Sequence, residues 1–345
     1  MDLKRSADAI LAVLDKIPER RVAVFGDYCL DKYLYIDPAR DEASVETGRT
    51  AYQVHAKGLY PGAGGTVVSN LRALGAEVSC VGIVGEDGEG FELMRALDQI
   101  GADTSLMVKT PARATCTYTK PMRGTAADGY TEMNRLDFRN FTPTPREVED
   151  RLLESLAAAA ARSQAVIILD QFIERNLAAV TDRVRDALRE TAAAHRDTVF
   201  FADSRGHTAS FRNVIVKCNR QELLRAMGED GAEADVGDDT VARLAGKLES
   251  ATGRAVMVTA GEDGAYIMQN STLSKIPAFS VSGPIDIVGA GDATSAGFVL
   301  GMTLGLALPD AALLGGCVSA ITIGQIGVTG TATPAQVRER LRQIG

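Results

Sequence analysis

Aromatic residues make up only 5% of this 345-residue sequence, and no run of five or more basic residues occurs in it. With 37 Lys and Arg against 45 Asp and Glu the net charge is −8, which disfavours nucleic acid and acidic membranes as partners. An anionic small molecule stays open, because backbone N–H groups and a few placed cations can bind it locally. The five cysteines, Cys29, Cys80, Cys116, Cys218 and Cys317, form no CxxC pair and are odd in number, as expected of reduced thiols in a cytoplasmic protein. No apolar stretch reaches the roughly 20 residues a membrane span needs. The uncharged stretch Ala293 to Leu308 lies between Asp292 and Asp310 and reads as a buried helix. The first 20 residues alternate charge with apolar positions at helical spacing, unlike a signal peptide. A Walker loop is missing, and the first strand is followed by Gly-Asp-Tyr-Cys-Leu-Asp where a dinucleotide-binding domain has Gly-x-Gly-x-x-Gly.

What is present is a β-α rhythm with 46% hydrophobic residues. Arg21 to Phe25 reads as a buried strand ending in Gly26-Asp27, and ligands bind at such ends in α/β sheets. A Gly-rich loop, Pro61 to Gly65, leads into a helix over Thr66 to Leu74 that Gly75 stops. Further strands are expected at 78–84, 165–169, 198–202, 214–217 and 255–259, with helices between them and a helical C-terminal third. Residues from about 33 to 57 and 103 to 140 instead alternate in short segments with turn residues, as antiparallel strands do. We therefore expect one α/β domain over 1–345 with a small β lobe built from those two stretches.

The segment Asp286-Ile-Val-Gly-Ala-Gly-Asp292 carries the most chemistry. Flexible residues at a helix start expose successive N–H groups, which suits a transferring phosphoryl group, and Asp292 at their edge could take a proton from an attacking hydroxyl. A plain glycine loop capped by Asp would have the same sequence. Asn219 and Glu222 place an amide and a carboxylate on one turn, suited to water and Mg²⁺ around phosphates, or equally to a helix capping box. Thr259, Gly261 and Gly264 follow a strand, where glycines let the backbone approach a flat or anionic ligand; a plain hairpin is the alternative.

In order, Gly26-Asp27, the glycines from Gly62 to Gly65, Gly85-x-Asp87-x-x-Gly90, Asn219-x-x-Glu222, Thr259-x-Gly261 and Gly289-Ala-Gly-Asp292 resemble the PfkB (ribokinase-like) family of ATP-dependent sugar kinases over essentially the whole chain. The resemblance implies a three-layer α/β/α sandwich with a mostly parallel sheet and a small β lid. It implies Asp292 as catalytic base, Gly289, Ala290 and Gly291 as the anion hole, and Asn219 and Glu222 as the Mg²⁺-phosphate motif, with Asn219 acting through water. Thr259, Gly261 and Gly264 join Asn219 in the ATP site.

Within the family, Gly26 to Tyr33, Thr117 to Lys120 and Asn134 to Phe138 are similar to the heptose-7-phosphate kinase branch, the kinase half of ADP-heptose synthases. Ala43 to Gly48 departs from that branch's proline-rich segment, and Thr66 stands where the branch has Asn. The three histidines, His55, His195 and His207, form no nucleotide-transfer motif. The expected acceptor is a sugar or sugar phosphate, met by Asp27, Asp31, Gly62, Gly64, Gly65, Thr66 and Asn70, with the lid cations Lys120 and Arg135 as candidate phosphate contacts. Capping would also explain the two aspartates, and a solvated sheet face the two cations. Asp170 and Asp203 sit at strand ends in the same layer. A kinase for a nucleoside or other small alcohol, and a non-catalytic sugar- or nucleotide-responsive regulator, are the alternative functions; a homodimer through the lid is the assembly left open.

Overall fold

The strand Arg21–Gly26 is apolar on both faces, with Val22, Ala23, Val24 and Phe25 all at 1% exposure or less, so both faces must be covered. It lies inside a nine-stranded sheet and pairs in parallel with Glu77–Gly85 on one side and Ala165–Asp170 on the other. The computed structural model describes residues 2–232, 236–327 and 329–344. Beyond Ala165–Asp170 the sheet continues through Val199–Ser204, Ile215–Asn219 and Val256–Thr259, all parallel. Side-chain alternation divides the core in two. Val22 and Val24 pack with Leu71, Phe298 and Leu313 on one face, Ala23 and Phe25 with Leu152, Leu188 and Leu244 on the other.

The chain order reverses at Arg21–Gly26, and ligands bind outside the C-terminal strand ends at such a switch point. Asp27, Asp170, Asp203, Asn219 and Thr259 all sit at those ends. The expected sandwich is therefore the observed one.

Two differences from the sequence reading have local causes. The lid sheet consists of Tyr28–Ile36, Val54–Ala63, Thr117–Thr125, Gly129–Glu132 and Leu136–Phe138, so it begins at residue 28 and extends to 63. Residues 103–110 belong to the main sheet, where Asp103 bridges Ser79 and Val108–Thr110 pairs in parallel with Ile83 to Gly85. The second difference is an antiparallel pair, Ala265–Gln269 and Thr272–Ile276, that extends the sheet edge where helices alone were expected. Its turn residues Asn270 and Ser271 have φ of 50° and 59°, the paired positive values of a two-residue hairpin turn.

The Gly85-Glu-Asp87-Gly-Glu-Gly90 motif proves to be a joint. Asp87 caps the helix Gly88–Gln99 through Gly90 N–H (2.7 Å) and accepts from the Thr115 amide and hydroxyl (2.9 and 2.7 Å), tying that helix to the start of a lid strand. Lys32–Glu89 (3.0 Å) and Lys57–Glu92 (2.8 Å) hold the lid to the same helix.

Candidate active site

Gly289 has φ of 80°, a left-handed conformation that permits the turn into the helix Ala290–Thr303. A β-carbon there would also lie 2.9 Å from the Thr329 methyl and 3.3 Å from the Thr66 methyl. This explains where Thr66 sits: 5% exposed, beneath the glycine turn. Ala290 N–H closes on the Ile287 carbonyl (3.1 Å), so it is not free for a ligand, contrary to the expectation for this residue. The N–H groups of Gly289, Gly291 and Asp292 find no acceptor among the described residues. They border a cavity of about 820 Å³ at the strand ends.

Asp292 lies on that cavity in the first turn of the helix. Burial, reinforced by the nearby Asp203 carboxylate, pushes its pKa up to about 7, against the pull of Lys217 and Arg205; Asp31 adds to the rise from the lid side. A carboxylate at that value is matched to proton transfer near neutral pH.

Sequence reasoning missed the cation beside it. Lys217, 5% exposed in the middle of Ile215–Asn219, forms a buried ion pair with Asp203, which also accepts from the Ser295 hydroxyl (3.2 Å). Burial works against the Lys217 ammonium, but Asp203 outweighs it and holds the pKa above its ordinary value. The only signal was a Lys interrupting a β-branched run just before Asn219. Arg205 was missed as well: it lines the cavity, and its guanidinium makes no ion pair among the described residues.

Asn219 and Glu222 line the same cavity and form the capping box in full. The Asn219 side chain accepts from Glu222 N–H (2.7 Å) and the Glu222 Oε2 from Asn219 N–H (2.8 Å). Burial raises the Glu222 pKa. The box occupies one carboxylate oxygen and leaves Oε1 without a partner among the described residues. Thr259 and Gly261 line the main cavity, while Gly264 lines a smaller one of about 190 Å³ that adjoins it and shares Thr259, Gly261, Phe279 and Gly291.

On the lid, Asp31 and Lys120 face each other (3.3 Å), and Lys120 also donates to the Tyr33 hydroxyl (3.0 Å) over that residue's ring. Gly62 makes room for them, since a β-carbon there would lie 2.5 Å from Asp31 Oδ2.

Five expected substrate contacts are placed elsewhere. Asp27 is 4% exposed, and its two oxygens accept from Ala179 N–H (3.0 Å) and Gln171 N–H (2.8 Å), so it fastens the loop after Ala165–Asp170. Burial and the Asp170 carboxylate push its pKa up to about 7. Asn70 is fully buried with its amide on the Thr66 carbonyl (3.0 Å). Gly64 and Gly65 are buried in the turn from lid to helix, Gly64 donating to the Asp27 carbonyl (2.9 Å) and Gly65 packing on Pro61. Arg135 gives its fork to Asp137 (2.7 and 2.8 Å) and stacks on Tyr118, with its side chain 46% exposed. Asp170 is likewise taken, by Arg185 (3.0 Å) and the Ser204 hydroxyl (2.8 Å).

A carboxylate beside free helix-start amides, on a cavity at the strand ends, is an arrangement suited to phosphoryl transfer. Residues 20–336 match the model described as "pfkB family carbohydrate kinase". The chain belongs to that family. As a pfkB family member it is a phosphotransferase that acts on a sugar hydroxyl. Among curated proteins it is 27% identical over 334 residues to the "Bifunctional protein HldE" of Bradyrhizobium diazoefficiens, covering 96% of this chain and 64% of that one. It is 28% identical over 320 residues to the protein of the same name from Trichlorobacter lovleyi, covering 91% and 61%. The chain thus spans less than two thirds of the length of these relatives. Two solved structures share the fold at 16% identity. They are Escherichia coli phosphofructokinase-2 with potassium (TM-score 0.71, covering 94% of this chain and 99% of that one) and Arabidopsis thaliana ribokinase with ribose and ATP (0.66, 94% and 98%). No helix among the described residues is long and apolar enough to cross a membrane.

Proposed function

We propose that this pfkB family protein transfers the γ-phosphoryl group of ATP to a hydroxyl of an already phosphorylated sugar of the heptose-7-phosphate type. The observation that carries the reading is Asp292 set among free N–H groups on a cavity that also holds Lys217 and the Asn219–Glu222 box. The acceptor hydroxyl lies between the lid and Asp292 and passes its proton to that carboxylate as its oxygen attacks phosphorus. The N–H groups of Gly289, Gly291 and Asp292, with the Lys217 ammonium, meet the charge on the transferring group.

The donor set fits Mg²⁺ bound mainly by phosphate oxygens and water, which asks little of the protein. Glu222 Oε1 and Asp203 Oδ1 carry no partner, and no cluster of three ligating side chains occurs among the described residues. Such an ion would neutralise phosphate charge. The adjoining cavity of about 190 Å³ suits the adenine.

The phosphorylated acceptor is supported by the cations Lys120 and Arg205 and by the similarity of the Asp31 and Lys120 segments to the heptose-7-phosphate kinases. A cytoplasmic setting and a homodimer through the lid belong to the same reading. The test is ADP release with a panel of sugar phosphates, free sugars and nucleosides. A sugar phosphate should give the highest kcat/KM, and a nucleoside or free sugar giving it would overturn the substrate assignment.

A further inference from the structure

Cys29 and Cys116 lie opposite each other in neighbouring parallel strand segments, one residue before the paired Leu30 and Thr117, and their sulfurs are 2.9 Å apart. Adjacent strands run about 4.8 Å apart, inside the Cα separation that a disulfide tolerates. All five cysteines are free, and only Cys116 is part-exposed. It borders a small cavity of about 40 Å³ with Gly26, Asp27, Arg113, Asn140 and Phe172, roomy enough for a molecule of two oxygen atoms. The Cys116 contact and burial push the Cys29 thiol well up, so Cys29 is poorly suited to react first.

We propose that Cys29 and Cys116 are an oxidisable dithiol that hydrogen peroxide or a similar hydroperoxide converts reversibly to a disulfide at the root of the lid. The Cys116 sulfur attacks one peroxide oxygen; an S–O bond forms, the O–O bond breaks, and the leaving hydroxide is protonated to water. The Cys29 sulfur then attacks the Cys116 sulfur. The S–S bond forms as the S–O bond breaks, and a second water leaves with the Cys29 proton. Two electrons pass from the thiols to the peroxide, and an added dithiol reverses the change.

The position gives the bond a consequence. Side chains two residues apart share a sheet face, so the cysteine pair heads a row that continues with Asp31 opposite Tyr118 and Tyr33 opposite Lys120. A covalent link fixes the spacing of the two strands that carry the acceptor-side residues, and this consequence rests on the proposed acceptor site.

The test treats the purified full-length protein with hydrogen peroxide, counts thiols under denaturing conditions, and maps cross-linked peptides by mass spectrometry. The expected result is a fall from five thiols to three, a Cys29–Cys116 peptide pair, and full recovery with dithiothreitol. Cys116→Ser should keep its remaining four thiols at the same dose, and Cys80→Ser should still lose two. Peroxide that oxidises other cysteines first, or that leaves Cys116 as sulfinic acid without a cross-link, overturns the dithiol assignment whatever the enzyme's substrate. In the cross-linked protein the KM for the acceptor should rise at least about threefold, with the KM for ATP unchanged. Unchanged values for both would overturn the claim that the bond acts on the lid.

Discussion

The Lys217 ammonium lies 3.2 Å from the point where a β-carbon on Gly291 would stand. A buried cation thus stands beside the glycine turn that leads to Asp292, and it is held there by Asp203. Removing it has two separable effects. Lys217→Met leaves the buried Asp203 carboxylate unpaired, and such losses cost about 3–5 kcal/mol. Denaturant unfolding should show that loss, while Lys217→Met combined with Asp203→Leu should regain most of it and remain inactive. A double variant with wild-type turnover would return Lys217 to a purely structural role.

Asp292 should impose both a rate limb and a stability limb. Its folded pKa of about 7 lies above the ordinary carboxylate value of 3.8, so below neutral pH the carboxylate fraction, and kcat/KM with it, falls about tenfold per unit. The native state binds more protons than the unfolded chain between about pH 4 and 7, so this site's contribution to stability is full at acid pH and is lost as pH rises through 7. Asp292→Asn should therefore gain melting temperature over wild type progressively across that window, with no difference below pH 4. An equal offset at every pH would show that Asp292 does not titrate there.

Arg135 was the cation expected from the sequence to meet a sugar phosphate, whereas Arg205 is the one that lines the cavity. Because Arg135 already holds Asp137 with both arms of its fork, Arg135→Ala should change the sugar-phosphate KM by less than about threefold. Arg205→Ala should raise it about tenfold or more, equivalent to about 1.4 kcal/mol, and leave a neutral sugar unaffected. The paired KM measurements decide between them, and the reverse ranking would contradict the cavity assignment.

Glu222→Gln keeps an oxygen that can accept from Asn219 N–H, so the capping box and the fold should survive. The Mg²⁺ concentration for half-maximal rate should rise several-fold, while Glu222→Ala should in addition cost about 1 kcal/mol of stability. A Mg²⁺ titration unchanged in Glu222→Gln would leave the residue with capping alone.

The glycine turn with Asp292 and the Asn219–Glu222 box were legible because each is a local arrangement, written within seven residues or fewer. The strands of the main sheet were legible in the same β-α rhythm, but their order was not. What was not legible depends on partners far away in the chain. Asp27 reads as a ligand-facing acid until the backbone of Gln171 and Ala179 arrives across the sheet, and Asn70 until tertiary packing against its helix buries it completely. Lys217 looks like an exception in a buried strand because its partner Asp203 is on the neighbouring one. The hairpin over 265–276 was hidden by its turn: Asn270-Ser271 lacks the glycine that marks most such turns, although Asn tolerates the left-handed conformation it adopts.

Asp292 is the group we propose to activate a sugar-phosphate hydroxyl toward ATP. The most direct test is phosphorus NMR of wild type and Asp292→Asn incubated with ATP, Mg²⁺ and a heptose 7-phosphate. Wild type should form ADP and a doubly phosphorylated sugar in equal amounts, and Asp292→Asn should form both about 10² to 10⁴ times more slowly with ATP affinity retained. ADP without a new sugar phosphate, or an Asp292→Asn rate within about tenfold of wild type, would contradict the account.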